Sequence, residues 1–228
     1  MNTAVLACQT VSDELNMAIM QTEVSYPVYW IESGLHNTTE KLQRKIGEEL
    51  ERLQEAETVL LAFGYCGTAL QGISSNYSRL VLPRLDDCIS MLLGSSQERK
   101  KREEEKATYF FTAGWLKYER SLVQEYEYAR EKYGPERAQE LMEMMLKHYE
   151  RFALIDTGAY DLAPYQEKIK ELTSLLGMEQ QVIKGSLRVF KKLLTGPYDE
   201  EFIVTLPGEE IVLDYWKFKE SEIIAQGD

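Results

Sequence analysis

The chain has 228 residues, 44% hydrophobic and 28% charged, a composition that fits one sizeable α/β domain or two small lobes. Its 38 acidic against 26 basic residues give a net charge of -12, which argues against a nucleic-acid partner, because phosphate backbones call for concentrated Lys and Arg. No apolar stretch approaches the roughly 18 residues that span a bilayer, so no membrane segment is expected. The N-terminus lacks a basic leader, and three cysteines at positions 8, 66 and 88 make no secreted disulfide scaffold. A cytoplasmic, reducing location is the expectation.

In chain order, Thr3 to Cys8 reads as a first buried strand and Ser12 to Met20 as its helix, with Ser12 as N-cap. A second extended run covers Glu23 to Ile31 and leads into Ser33-Gly34-Leu35-His36-Asn37. Glu40 to Ala56 is an amphipathic helix, with Leu42, Ile46, Leu50 and Leu53 on one face. Val59 to Phe63 and Leu80 to Leu82 are the next strands, short apolar runs that each end in a cysteine-bearing turn. Gln97 to Lys106, which holds Arg99-Lys100-Lys101-Arg102 followed by Glu103-Glu104-Glu105, is a solvated helix rather than a basic patch.

A strand at Thr108 to Phe111 ends in Thr112-Ala113-Gly114-Trp115, and helices follow at about Leu116 to Lys132 and Pro135 to Tyr149, the second opened by its proline. Arg151 to Ile155 returns as a strand and ends in Asp156-Thr157-Gly158. Helices at Pro164 to Leu176 and Leu187 to Leu194 flank a strand at Gln180 to Ile183. Glu201 to Tyr215 reads as two short strands around Pro207-Gly208.

This alternation predicts an α/β fold with a mostly parallel sheet and helices on both faces, a Rossmann-like three-layer arrangement. One domain over residues 1–228 is expected. The loose likeness of AFGYCG, FFTAGW and LIDTGAY leaves room for two pseudo-equivalent lobes, residues 1–107 and 108–228.

In parallel sheets ligands bind outside the carboxyl ends of the strands, and all three cysteines fall at predicted strand ends. Thiolates are soft metal ligands and nucleophiles. Cys8, Cys66 and Cys88, with His36 as a fourth donor, would form a tetrahedral zinc site, or three thiolates would carry an iron–sulfur cluster. Packed cysteines with no ligand are the competing reading, because thiols also behave as small hydrophobes. Arg84 and Asp87 beside Cys88 are the candidates for catalytic roles, Asp87 as an acid–base group and Arg84 as a carboxylate clamp. Either of Asp86 and Asp87 serves equally as a helix cap. Gly64 and Gly67 allow close backbone approach to a cofactor, and Tyr65, Trp115 and Asp156 are candidates to wall its pocket. No GxGxxG, Walker or nucleophile-elbow motif is present.

Several phrases together resemble a prokaryotic family known as domain of unknown function 1638. They are Leu6-Ala7-Cys8, Gly34-Leu35-His36-Asn37, Gly64-Tyr65-Cys66-Gly67, Pro83-Arg84 with Asp87-Cys88, and Thr112-Ala113-Gly114-Trp115. The resemblance covers roughly residues 3 to 190, and Gln9 stands where the family pattern has glycine. It implies a cytoplasmic protein associated with corrinoid-dependent methyl transfer. The leading expectation is therefore a metal-thiolate protein acting in, or accessory to, methyl transfer or one-carbon metabolism, with a small molecule or corrinoid protein as partner. The alternative is a non-enzymatic module that binds a cofactor or partner, its cysteines structural.

Overall fold

The computed structural model describes residues 2–35, 38–118 and 121–213. The strands that were continuous apolar runs in the sequence are buried on both faces. In β1 (Thr3–Cys8) and β3 (Thr58–Ala62), Ala4, Leu6, Val59 and Leu61 face one core, and Val5, Ala7, Leu60 and Ala62 face another. Alternation of successive side chains across the sheet makes this division automatic.

The first sheet has the order β2-β1-β3-β4-β8. Here β2 is Val28–Ile31, β4 is Arg79–Pro83 and β8 is Phe202–Thr205. The first four strands are parallel, with Val5 opposite both Val28 and Leu60, and β8 closes the edge antiparallel to β4. The second sheet is wholly parallel, in the order β5-β6-β7: Thr108–Phe111, Arg151–Asp156 and Glu179–Lys184. The chain changes sheet after β4 and returns to the first sheet only at β8.

Helices cover both faces of each sheet, so each is a three-layer α/β unit, and the two share their middle layer. That layer contains α1 (Ser12–Thr22), α3 (Cys88–Leu93) and α9 (Arg188–Thr195). Their apolar residues, among them Leu15, Ile89, Phe190 and Leu193, pack in one core with Leu60 of the first sheet and Ile155 of the second. On the outer face of the first sheet lies α2 (Thr39–Arg52), which buries Leu42, Ile46 and Leu50. At about 1.5–3 kcal/mol for each large apolar side chain buried, that stripe holds a helix whose other positions are almost all polar. The outer face of the second sheet carries α6 (Leu122–Tyr133), α7 (Pro135–Leu146) and α8 (Ala163–Leu176). Two further helices, α4 (Ser96–Glu105) and α5 (Ala113–Tyr118), follow α3 and β5.

Several boundaries differ from the sequence reading. Only Val28–Ile31 of the second extended run is a strand, because Glu23 ends α1 in the left-handed region at φ 56° and starts a loop. Ser12 is the first helical residue rather than its cap. The 3-10 turn Gln9–Val11 runs directly into α1, leaving Val11 at the cap position. Pro207-Gly208 is followed by a single bridge, Ser74 to Glu210, in place of a second strand, and residues 214 and 215 of that expectation lie outside the described residues. No helix among the described residues is long and apolar enough to cross a membrane.

Candidate functional site

The carboxyl end of the first sheet is built by two loops that hold each other. After β3, the backbone N–H of Tyr65 donates to the Leu85 carbonyl at 2.7 Å, and that of Cys66 donates to the Asp86 carbonyl at 2.9 Å. This pairing brings Cys66 and Cys88, 22 positions apart in the chain, to the same edge. Gly64 makes it possible, because a β-carbon there would fall 2.4 Å from Asp87 Cα. Cys66 itself adopts φ 47°, a left-handed conformation uncommon for a residue with a β-carbon, and the paired loops hold it there.

Asp87 is the N-cap of α3. Its Oδ1 accepts from the Ser90 backbone N–H at 3.0 Å, and its Oδ2 is ion-paired with Arg99 of α4. Capping satisfies an amide that the helix would otherwise leave without a partner. Both carboxylate oxygens are therefore engaged in holding the loop.

From the other side, Cys8 ends β1, and its thiol lies 3.0 Å from the Thr10 hydroxyl. Thr10 in turn meets the second sheet. The start of α5 packs so closely on it that a β-carbon on Gly114 would come 1.7 Å from the Thr10 carbonyl oxygen. The next residue, Trp115, anchored by its backbone N–H on Thr112 Oγ1 at 3.0 Å, reaches the same place.

These pieces enclose a cavity of about 310 Å³ at the carboxyl edge. Cys8, Cys66 and Cys88 all line it, as do Gly64, Gly67, Asp87 and Trp115. Seven of the residues picked out from the sequence thus share one wall system, although they come from four strand ends and both sheets. The sequence reading missed the rest of the lining: Thr10 and Val11 after β1, Glu32 after β2, Thr39 and Leu42 on the first turn of α2, and Ala62 and Phe63 at the end of β3. The position of Thr10 two residues beyond a strand end was a usable signal. The apolar residues looked like ordinary core.

Three other candidates stand elsewhere. Tyr65 is fully buried in the outer core of the first sheet. Arg84 donates through Nε to the Phe202 carbonyl at 3.2 Å and lines a separate cleft of about 260 Å³. Asp87 is ion-paired with Arg99. In that cleft Arg188 is bound to Glu201 and Lys192 to Asp199 and Glu201. Asp156 ends β6, where its Oδ1 accepts from the Gly158 N–H at 2.9 Å and borders an open groove on the second sheet. His36 lies outside the described residues.

The expected zinc or iron–sulfur site is not borne out. Among the described residues, no group of three or more His, Cys, Asp or Glu side chains is placed to hold a metal ion, and none of the three cysteines is in a disulfide. Convergence on one cavity is a looser condition than a ligand shell, in which every donor must lie within about 2.3 Å of a common point. The corrinoid contact expected with that site has no support in this geometry.

Beneath the Thr10 turn, α1 carries a carboxyl group into the middle layer. Glu14 is only 1% exposed. Its Oε1 accepts from Thr157 Oγ1 at 3.1 Å, and its Oε2 has no hydrogen-bond partner among the described residues. Burial pushes its pKa up to about 7, against the smaller opposing effects of its backbone and Thr157 hydrogen bonds. Nothing in the sequence marks it, because an acidic residue in a first helical turn is what a helix dipole favours anyway.

The fold and the cavity define an α/β protein with a small, partly open, thiol-lined pocket at the carboxyl edge of a parallel sheet. The chain belongs to the family described as Protein of unknown function (DUF1638), whose model matches residues 30–194; Cys66, Cys88 and Trp115 lie inside the match and Cys8 outside it. No curated protein and no solved structure matches the chain.

Proposed function

We propose that this protein is a small-molecule binding module whose ligand occupies the thiol-lined cavity. The observation that carries this reading is convergence: Cys8, Cys66, Cys88 and Trp115, from distant parts of the chain and from both sheets, border one pocket. A cavity of this kind at the carboxyl edge of a parallel sheet is where ligands of such folds sit.

Its chemistry narrows the ligand. At about 310 Å³ the space lies at the small end of ligand sites and suits a compact metabolite rather than a dinucleotide. Val11, Leu42 and Phe63 supply apolar wall, and removal of their surface from water drives binding. Glu32 and Asp87 are the charged side chains of the described lining, with no Lys or Arg among it, which disfavours a phosphorylated ligand. The thiols act in this reading as soft, polarizable wall groups with no metal between them.

Ligand-observed NMR with a library of small, neutral or cationic metabolites tests the reading. Binding is expected in the natural protein and should be lost in Cys88→Leu and in Thr39→Leu, two partly buried positions where a larger side chain fills the cavity. A library without binders, or binding untouched by both substitutions, would sink it.

A further inference from the structure

Glu14 sits at a mechanical junction that the binding reading does not use. Three residues before it, Val11 lines the cavity, and Thr10 beside Val11 supports the Gly114 turn that carries Trp115. On its other side, Glu14 meets the end of β6 through Thr157. Tyr160, a few residues further on, donates its hydroxyl to the Ile155 carbonyl and is hydrogen-bonded in turn by the Ala113 backbone at the start of α5. Both flanks of the cavity, the Thr10 turn and the Trp115 turn, are thus tied to the polar seam around this one carboxyl group.

That seam is poorly equipped for a negative charge. Among the described residues, the titratable groups around Glu14 are Asp13 on its own helix, Lys117 and Tyr118 on α5, Asp156 at the end of β6 and Tyr160 after it. Lys117 is the nearby cation, and it is already bound to both oxygens of Asp13 at 3.0 and 3.1 Å. Asp13 and Lys117 therefore act on Glu14 in opposite senses, and the Asp13 effect is the larger. From α9, the middle layer presents the apolar residues Val189, Phe190 and Leu193. Among the described residues, Thr157 is the one hydrogen-bond donor that a side chain directs at the carboxyl group, and Oε2 lies buried without one. A neutral carboxyl group suits this site; a carboxylate demands water or movement.

We propose that Glu14 is a protonation switch that controls access to the thiol-lined cavity. Protonated, it lets α1 seat against the end of β6, which holds the Thr10 and Trp115 turns together. Ionised, it draws water into the seam and loosens the two walls it anchors. The switch rests on the cavity geometry of the binding reading, and it acts in the neutral range because burial holds the group near 7.

The test is the rate at which iodoacetamide alkylates Cys8, Cys66 and Cys88 in the full chain, followed residue by residue by mass spectrometry across the neutral range. The same measurement on Glu14→Gln, which is neutral at every pH, supplies a reference, and the ratio of the two rates cancels the thiols' own titration. The ratio is expected to be near one on the acid side and to rise several-fold through a midpoint close to 7. Thr157→Val removes the hydrogen bond that favours the carboxylate, so its midpoint should move to higher pH, which provides a second check should Glu14→Gln fold poorly. A ratio that stays flat, or a midpoint unmoved by Thr157→Val, would overturn the switch. Ligand binding measured at a single mildly acidic pH is independent of that outcome, so the switch and the binding reading fail separately.

Discussion

Gly64 and Asp87 are in backbone contact: a β-carbon on Gly64 would lie 2.4 Å from Asp87 Cα and 2.6 Å from its nitrogen. The obstacle is main chain rather than the end of a flexible side chain, so the loops must separate if Gly64 gains a methyl group. Gly64→Ala is expected to cost about 2–4 kcal/mol, read as a lower urea midpoint, and to expose Cys66 and Cys88 to alkylation together. Gly114→Ala, which places a β-carbon 1.7 Å from the Thr10 carbonyl, should be at least as damaging. A near-neutral result at both sites would mean that the close approach does not hold the edge.

Asp87 has two separable duties. Asp87→Asn keeps an oxygen for the Ser90 N–H and loses the charge that faces Arg99, whereas Asp87→Ala loses both. With both side chains of the ion pair partly exposed, its share should be about 1 kcal/mol or less, and loss of the cap should add about 1 kcal/mol. Denaturation of the two variants, with and without Arg99→Gln, should show Arg99→Gln costing less in the Asn variant than in the natural chain, the remainder being the pair that Arg99 also makes with Glu103. If Asn costs as much as Ala, the ion pair rather than the cap dominates.

Glu14 gives stability a pH dependence whose sign is fixed by the direction of its shift. Its folded pKa is about 7 against an ordinary 4.5, so the folded chain binds the proton more tightly than the unfolded one. The contribution is complete below about 4.5 and is lost as pH rises through about 7. Over that window it amounts to roughly 3 kcal/mol. Urea denaturation of the natural chain and of Glu14→Gln at a series of pH values should separate progressively between about 4.5 and about 7 and keep a constant difference above that, with the Gln variant losing less stability. Parallel curves would place the Glu14 pKa near its ordinary value.

Glu201 works in the opposite sense. The hydrogen bonds from Arg188, and then from Lys192, hold its pKa down at about 2 despite some desolvation. Its contribution is present above the ordinary value of 4.5 and is lost as pH falls toward about 2. Because the carboxylate is more than a third exposed, screening reduces its worth to about 1 kcal/mol or less. Glu201→Gln should therefore lower stability slightly at neutral pH and have no effect in strong acid. An equal loss at both extremes would point to packing rather than charge.

Much of the architecture was legible because it depends on local pattern. Runs such as Val59 to Phe63 are apolar at every position, as a strand buried on both faces must be. Leu42, Ile46 and Leu50 recur at helical spacing, and Pro135 opens its helix where proline is tolerated. The placement of three cysteines at strand ends was legible for the same reason, and so was their gathering at one edge, since parallel strands put their carboxyl ends on one side. What local pattern could not supply was distance. Whether thiols at a common edge form a ligand shell or line a cavity depends on how the loops after β3 and β4 pair and on how α5 of the second sheet leans on Thr10. Those contacts join residues up to 104 positions apart, Gly114 and Thr10 among them. Arg84 and Asp87 are close in sequence yet serve different clefts, because the chain turns between them into α3. Glu14 resembled any acidic residue at a helix start until the second sheet covered it. By itself the sequence determined the strands, the helices and the edge that carries the thiols; only the tertiary structure decided their separation, the walls between them and the buried carboxyl group beneath, because desolvation and close contact are properties of packed neighbours rather than of neighbours in the chain.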